Sequence, residues 1–317
     1  MIQIKLFLVS NIMSIFYLEW IHKRPSICEF RGTIPEKYNF HCHIKLRKVN
    51  DILETVTLYG LINEDHYDYE FNDPPYTKKS YLVSHLQKSI RKMKHTKSVL
   101  TAKHLIDLDI NSLLRRLPII MFEDVIPHTS LPIIVWLMIA VSKGFVIKSA
   151  MVQWLLGIVY FLSTCDKHDK VHKIGSIDQN DIKDNMYLKS ILLRISYGGM
   201  DGDMKMLNYF IQLWSLRFEQ GETMDNSKIQ FINHKLDALP RSEWDLCAND
   251  FHCNKQLIGK VKKQYELYSE EYIKKLIWEH SSRENKRIRF QVNEDEHKDW
   301  LIIKKFVRFQ QKNMEYY

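Results

Sequence analysis

Residues 81–97 read Tyr81-Leu-Val-Ser-His-Leu-Gln-Lys-Ser-Ile-Arg-Lys-Met-Lys-His-Thr-Lys97. Leu82, Leu86, Ile90 and Met93 recur at spacings of 4, 4 and 3, which puts them on one face of a helix. Lys88, Arg91, Lys92 and His95 fall on the opposite face. A helix with one apolar stripe has to bury that stripe against other elements. The stretch therefore predicts a helical bundle, with a charged side turned outward.

Downstream, the helical pattern continues. Residues 99–108 form a second short helix. Asp109 is a plausible N-cap for a third, which carries Leu113, Leu114 and Leu117. Pro118 should kink or end that helix, because it cannot donate to the carbonyl of Leu114. Further helices are expected over 133–141, 146–163, 186–195, 203–218, 256–268 and 270–280, with a last apolar segment at 300–309. Upstream, residues 14–75 lean towards strand. Phe40-His-Cys-His-Ile-Lys-Leu and Thr55-Val-Thr-Leu-Tyr-Gly-Leu-Ile are short β-branched and aromatic runs. The fold class is thus mainly α, a multi-helix bundle with a smaller β-containing N-terminal part. Pro74-Pro75 and the polar residues 166–185 divide the chain into three consecutive regions, 1–75, 76–165 and 166–317.

Composition narrows the class. The chain has 317 residues, 45% of them hydrophobic and 12% aromatic, enough apolar surface to offset the entropy of ordering. Only 10 Gly and 8 Pro exclude collagen-like and low-complexity chains. Five cysteines, Cys28, Cys42, Cys165, Cys247 and Cys253, are odd in number and scattered, unlike a secreted disulfide framework. Reduced thiols in an intracellular compartment, cytoplasm or nucleus, are the expectation. The apolar first 20 residues lack a basic leader and a small-residue cleavage site, and Met13 is an alternative start. Residues 131–140 and 145–162 are apolar, but short or interrupted by charge. They read as buried helices, and no membrane partner is expected.

The formal charge is +8, which favours polyanionic partners. Lys78, Lys79, Lys88, Arg91, Lys92, Lys94 and Lys97 crowd one stretch with no acid among them. Seven such charges would release counterions from a phosphate backbone, so they are the candidate nucleic-acid contact. The competing reading is a basic face neutralised by acids from elsewhere in the fold. A second cationic region holds Lys260, Lys262, Lys263, Lys274, Lys275, Arg283, Lys286, Arg287 and Arg289, with Tyr265, Tyr268 and Trp278 between them. Glu266, Glu270, Glu271, Glu279 and Glu284 sit among these cations, so a salt-bridged surface helix is expected there.

Other constellations are weaker. Phe40-His41-Cys42-His43 and Phe251-His252-Cys253, with Cys247, offer zinc-ligand types at no zinc-like spacing; ordinary histidines and buried thiols are expected, and no metal. Tyr197-Gly-Gly-Met-Asp-Gly-Asp203 reads as a tight turn with Asp201 or Asp203 as cap. Glu123 and Asp124 are adjacent carboxylates, about 100° apart on a helix, and a salt bridge to Arg115 or Arg116 is their expected role. No nucleophile motif appears, and Gly259-Lys260 lacks the other residues of a phosphate-binding loop.

Three elements within residues 84–125 carry a resemblance. They are Leu86-Gln87-Lys88-Ser89-Ile90-Arg91, Arg115-Arg116-Leu117 and Glu123-Asp124-Val125. In this order and spacing the segment resembles the helical C-terminal region of MgsA/RarA-type clamp-loader-related AAA+ ATPases. Lys92-Met93-Lys94 replaces the Gly-Ser-Asp of that family, and Pro118 and Pro127-His128 are further departures. The resemblance implies a helical module for subunit assembly and for work at replication forks. It does not imply ATP hydrolysis. It singles out Gln87, Arg115, Arg116, Glu123 and Asp124 as motif residues.

The expected function is a non-catalytic DNA replication or repair module. It would self-associate through the helices at 131–163 and touch DNA through the seven cations. No cofactor and no small-molecule substrate are expected. Two alternatives stand beside it: a structural adaptor docking an acidic protein, and a nuclease-type enzyme whose acids converge only in the fold.

Overall fold

The computed structural model describes residues 13–45, 55–65, 67, 78–169, 185–237, 239, 243–244, 248, 255–288 and 293–313. Cys247, His252, Cys253, Pro74, Pro75 and Arg289 lie outside them. The chain is mainly α with a small sheet. It does not divide into the three consecutive regions expected. One compact unit gathers residues 1–66, 129–150 and 174–223; the other gathers 67–128, 151–173 and 224–317.

The first unit is built on four strands, β1 (Met13–Ile21), β2 (Arg24–Arg31), β3 (Phe40–Lys45) and β4 (Thr55–Ile62), in the order β2-β1-β4-β3. β1 pairs antiparallel with β2 and parallel with β4, while β3 closes the other edge antiparallel to β4. The β1–β2 turn is His22-Lys23, both at positive φ (52° and 62°), the two-residue geometry whose twist suits a hairpin. β1 is central, so its two faces are both covered: Ile15, Phe16, Tyr17, Leu18 and Trp20 are all buried.

α3 (Leu131–Ser142) lies against β1 and β2. Its Trp136 donates from Nε1 to the carbonyl of Phe16 at 3.1 Å. Gly60 makes this approach possible, since a Cβ there would meet the indole at 2.9 Å. α5 (Met186–Ser196) and α6 (Asp201–Glu219) complete the unit. The N-cap of α6 is Met200, not Asp201 or Asp203, which sit in its first turn.

The second unit starts with α1 (Lys79–Arg91) and α2 (His95–Asp124). The single helix expected over 81–97 breaks at Lys92-Met93-Lys94, where Met93 adopts φ +54°. Asp109 does act as a cap: it is extended (φ −164°), and its carboxylate accepts from Ser112 N at 3.3 Å and Ser112 Oγ at 2.9 Å. α2 thus has two limbs. Pro118 does not end the second limb, which runs on to Asp124. α1 lies along both limbs: His85 reaches Thr101 on the first, and Gln87 reaches Glu123 on the second.

α4 (Ser149–Thr164) belongs almost wholly to this unit. Gly157 lets the chain at Gln230 pass against it; a Cβ would stand 1.7 Å from the Gln230 carbonyl oxygen. α7 (Lys255–Gln264), α8 (Glu270–Ile277) and α9 (Glu294–Lys312) share one apolar cluster that includes Leu257, Val261, Ile273, Leu276, Trp300 and Ile303, and a π-turn (Trp278–Ser282) follows α8.

The apolar runs expected to be buried are buried. Leu131 and Ile134–Ala140 in α3, and Met151, Leu155 and Ile158 in α4, have at most 1% of their surface exposed. Among the described residues no helix is long and apolar enough to cross a membrane.

Candidate functional site

The charged side of α1 is not a surface. Lys88, Arg91 and Lys92 are 1%, 5% and 8% exposed, so they are no part of a nucleic-acid face. α1 is enclosed because α2 folds back along it and the segments around Trp244 and Ser282 cover the rest. The rings of Tyr81 and His85 stand 5.5 and 4.5 Å from that of Trp244. Each buried cation has found an internal partner. Lys88 Nζ donates to the carbonyl of Ser282 at 2.6 Å and lies 5.4 Å from the Trp278 ring centroid. Lys92 pairs with Glu284 at 3.6 Å.

Arg91 is the centre of the cluster. Its Nε donates to Asp124 at 2.5 Å, one Nη to Glu123 at 2.8 Å and the other to the Ser282 carbonyl at 3.0 Å. Gln87 donates to both carboxylates, at 2.7 and 2.9 Å. Adjacent carboxylates on a helix diverge, and here Arg91 and Gln87 hold them to one place. Arg91 is a partner that the sequence reading did not name. Arg115 is exposed on α2. Arg116 joins the cluster as well: it donates to Gln87 at 3.5 Å, and its charge lowers the Glu123 pKa. The acids' main partner is Arg91, from the helix read as a DNA contact.

Burial works against the Arg91 charge, but Asp124 and Glu123 outweigh it and hold the guanidinium above its ordinary value. Glu123 is pushed the other way for an acid. Desolvation and then the Asp124 charge raise its pKa, more than Arg91 lowers it. One guanidinium cannot fully compensate two carboxylates. Asp124 is enclosed, whereas 39% of the Glu123 side chain still meets solvent.

Beside the cluster lies a second device. The carbonyls at a helix C-terminus have no partner within the helix. Here residues 285–287 serve several helices. Arg287 donates to Ile90 O of α1 at 2.9 Å, Leu162 O of α4 at 2.6 Å and Cys165 O at 2.7 Å. Asn285 donates to Asp124 O of α2 at 3.0 Å. A guanidinium at converging helix C-termini also meets their negative ends. Sequence reasoning placed Arg287 in a salt-bridged surface region; its only local signal was Asn285, a residue type that favours turns.

Of the remaining expected contacts, Lys78 and Lys79 are exposed, the latter paired with Asp109 at 2.8 Å. Lys94 is half-buried, and Lys97 donates to the Glu243 carbonyl.

The arrangement can fasten helices. Among the described residues no three His, Cys, Asp or Glu side chains are placed to share a metal. Burial pushes the thiols of Cys28, Cys42 and Cys165 up, Cys42 to about 11, which keeps them from acting as thiolates near neutral pH. In the first unit, Lys45, Lys143, Ser142, Ser196 and Tyr197 line a hollow of about 450 Å³. Both serines there already donate to helix carbonyls. No family model matches this chain, and neither a curated protein nor a solved structure matches it.

Proposed function

We propose that this protein is a non-catalytic helical module of DNA replication or repair that binds nucleic acid without regard to sequence. One observation carries the reading. The three elements through which residues 84–125 resemble the clamp-loader-related family meet at one place in space. Gln87, Arg91, Arg116, Glu123 and Asp124 form a single hydrogen-bonded cluster. Their convergence is what supports the resemblance.

The proposed nucleic-acid contact is made by cations that still meet solvent, exposed at Lys78, Lys79, Lys255 and Lys263 and half-buried at Lys260 and Lys262. Lys78 and Lys79 stand at the start of α1. α7 carries Lys255, Lys260, Lys262 and Lys263 with no acid at all. Such a surface would bind phosphates by counterion release. The test is fluorescence anisotropy with single- and double-stranded DNA across a salt series. Micromolar binding with a steep negative slope is expected. Replacing Lys255, Lys260 and Lys263 by Gln should flatten that slope by about two to three, since each phosphate contact contributes roughly 0.9. Absence of binding at about 50 mM salt would refute the reading and leave an acidic protein as the partner to seek.

A further inference from the structure

α9 has two faces, and the fold uses only one. Trp300, Ile303, Val307 and Gln311 are buried against α7 and α8. On the opposite side Ile302, Lys305, Phe309 and Lys312 follow one another at spacings of 3, 4 and 3, a stripe along the helix. Ile302 is 54% exposed and Phe309 60%, with Leu301 beside them at 52%. Nearby, Tyr265 donates to the carbonyl of Ile302 at 3.3 Å, and Leu267, two residues on, is 99% exposed. Leucine and phenylalanine side chains this open, gathered on one edge, mark an interaction surface.

The charge pattern of α9 says what covers it. Its first turn carries Glu294, Asp295 and Glu296. After Asp299 no acid follows to the end of the helix, while Lys304, Lys305, Arg308 and Lys312 do. This is the pattern of a helix complementary to itself in reverse. Laid antiparallel on a second α9, the basic end meets the acidic end, and Leu301 and Ile302 meet their counterparts in the middle.

We propose that two copies of this chain pair through antiparallel α9 helices about a two-fold axis. Leu301 and Ile302 sit at the centre of the contact. Phe309 of each copy lies over the His297–Lys298 stretch of the other, and Lys312 falls opposite Glu294. The contact is isologous, so it closes at two chains. A 19-residue helix is about 28 Å long, and such a contact falls below the ~800 Å² per partner of a standard interface. The dimer should therefore dissociate in the micromolar range. The proposal is independent of the DNA reading, and α9 lies outside the residues that carry the family resemblance.

Sedimentation velocity on the full chain from about 1 to 100 μM tests it, a range that brackets a micromolar constant. A monomer–dimer equilibrium is expected. The double variant Ile302→Asp with Phe309→Asp should stay monomeric with an unchanged melting curve, because both side chains are exposed. Lys312→Glu should weaken the dimer several-fold, and Glu294→Lys added to it should restore the lost affinity. A monomer at every concentration, or a dimer that survives the double aspartate variant, would overturn the proposal. A charge swap that restores nothing would overturn the antiparallel arrangement.

Discussion

α1 and α9 are both lysine-bearing amphipathic helices of one unit, and they meet opposite fates. α1 has no acid of its own, yet it is enclosed, with Arg91 and Lys88 hydrogen-bonded inside and Lys92, just past its end, ion-paired. α9 carries its own acids and keeps its lysines in water. The difference lies in what the rest of the chain supplies. For α1 the fold delivers two carboxylates 32 and 33 residues away and a carbonyl 191 residues away. Among the described residues nothing comparable reaches the outer side of α9. A run of cations says how much charge must be compensated, not whether water or protein compensates it.

Breaking the α1 side of the comparison should have the largest effect. Arg91→Ala leaves Asp124 buried with its main partner gone, and should cost about 3–5 kcal/mol in urea or guanidinium unfolding. Lys88→Ala comes next. It removes one donor from the Ser282 carbonyl, which Arg91 still serves, and a fully buried stem, so a loss of about 1–3 kcal/mol is expected.

The dryness around α1 also has a pH signature. His104, on the first limb of α2, stacks 6.3 Å from Trp244, and its Nδ1 is buried with no hydrogen-bond partner among the described residues. Burial lowers its pKa, more than Asp107 raises it. The unfolded chain then binds the proton more readily. The stabilisation is complete above the ordinary histidine value of about 6.5 and is lost as pH falls through the lower folded value. His104→Gln should flatten that acid limb in unfolding measured between about pH 7 and 5. Glu123 has the opposite sign: its raised pKa makes stability decline as pH climbs just past the ordinary carboxylate range. The smallest effect belongs to α9. Lys305→Ala should change stability by no more than about 0.5 kcal/mol, as at other surface positions. A larger loss would mean that α9 is also held from outside.

Much of the architecture was legible. The stripe Leu82, Leu86, Ile90 marks α1, and the runs at 40–46 and 55–62 mark β3 and β4, because burial on one face leaves a periodic trace. The β1–β2 hairpin was not, since His22-Lys23 takes left-handed angles usually given to Asn-Gly. The break at Met93 was hidden for the same reason. The cluster was legible only as separate pieces. Glu123 and Asp124 advertised a salt bridge, but nothing local says that Arg91 is its main cation. The role of Arg287 depends on carbonyl groups of residues 90, 162 and 165, and backbone atoms leave no mark in a sequence.

The central claim is that Arg91 is an internal fastener and not a contact for phosphate. A double-mutant cycle on Arg91 and Asp124 tests it most directly, with Arg91→Met, Asp124→Leu and the pair together in denaturant unfolding. Each single change should be strongly destabilising, and the pair should cost much less than their sum, with a coupling of at least about 1.5 kcal/mol. Additivity within about 0.5 kcal/mol would contradict it and return Arg91 to the surface.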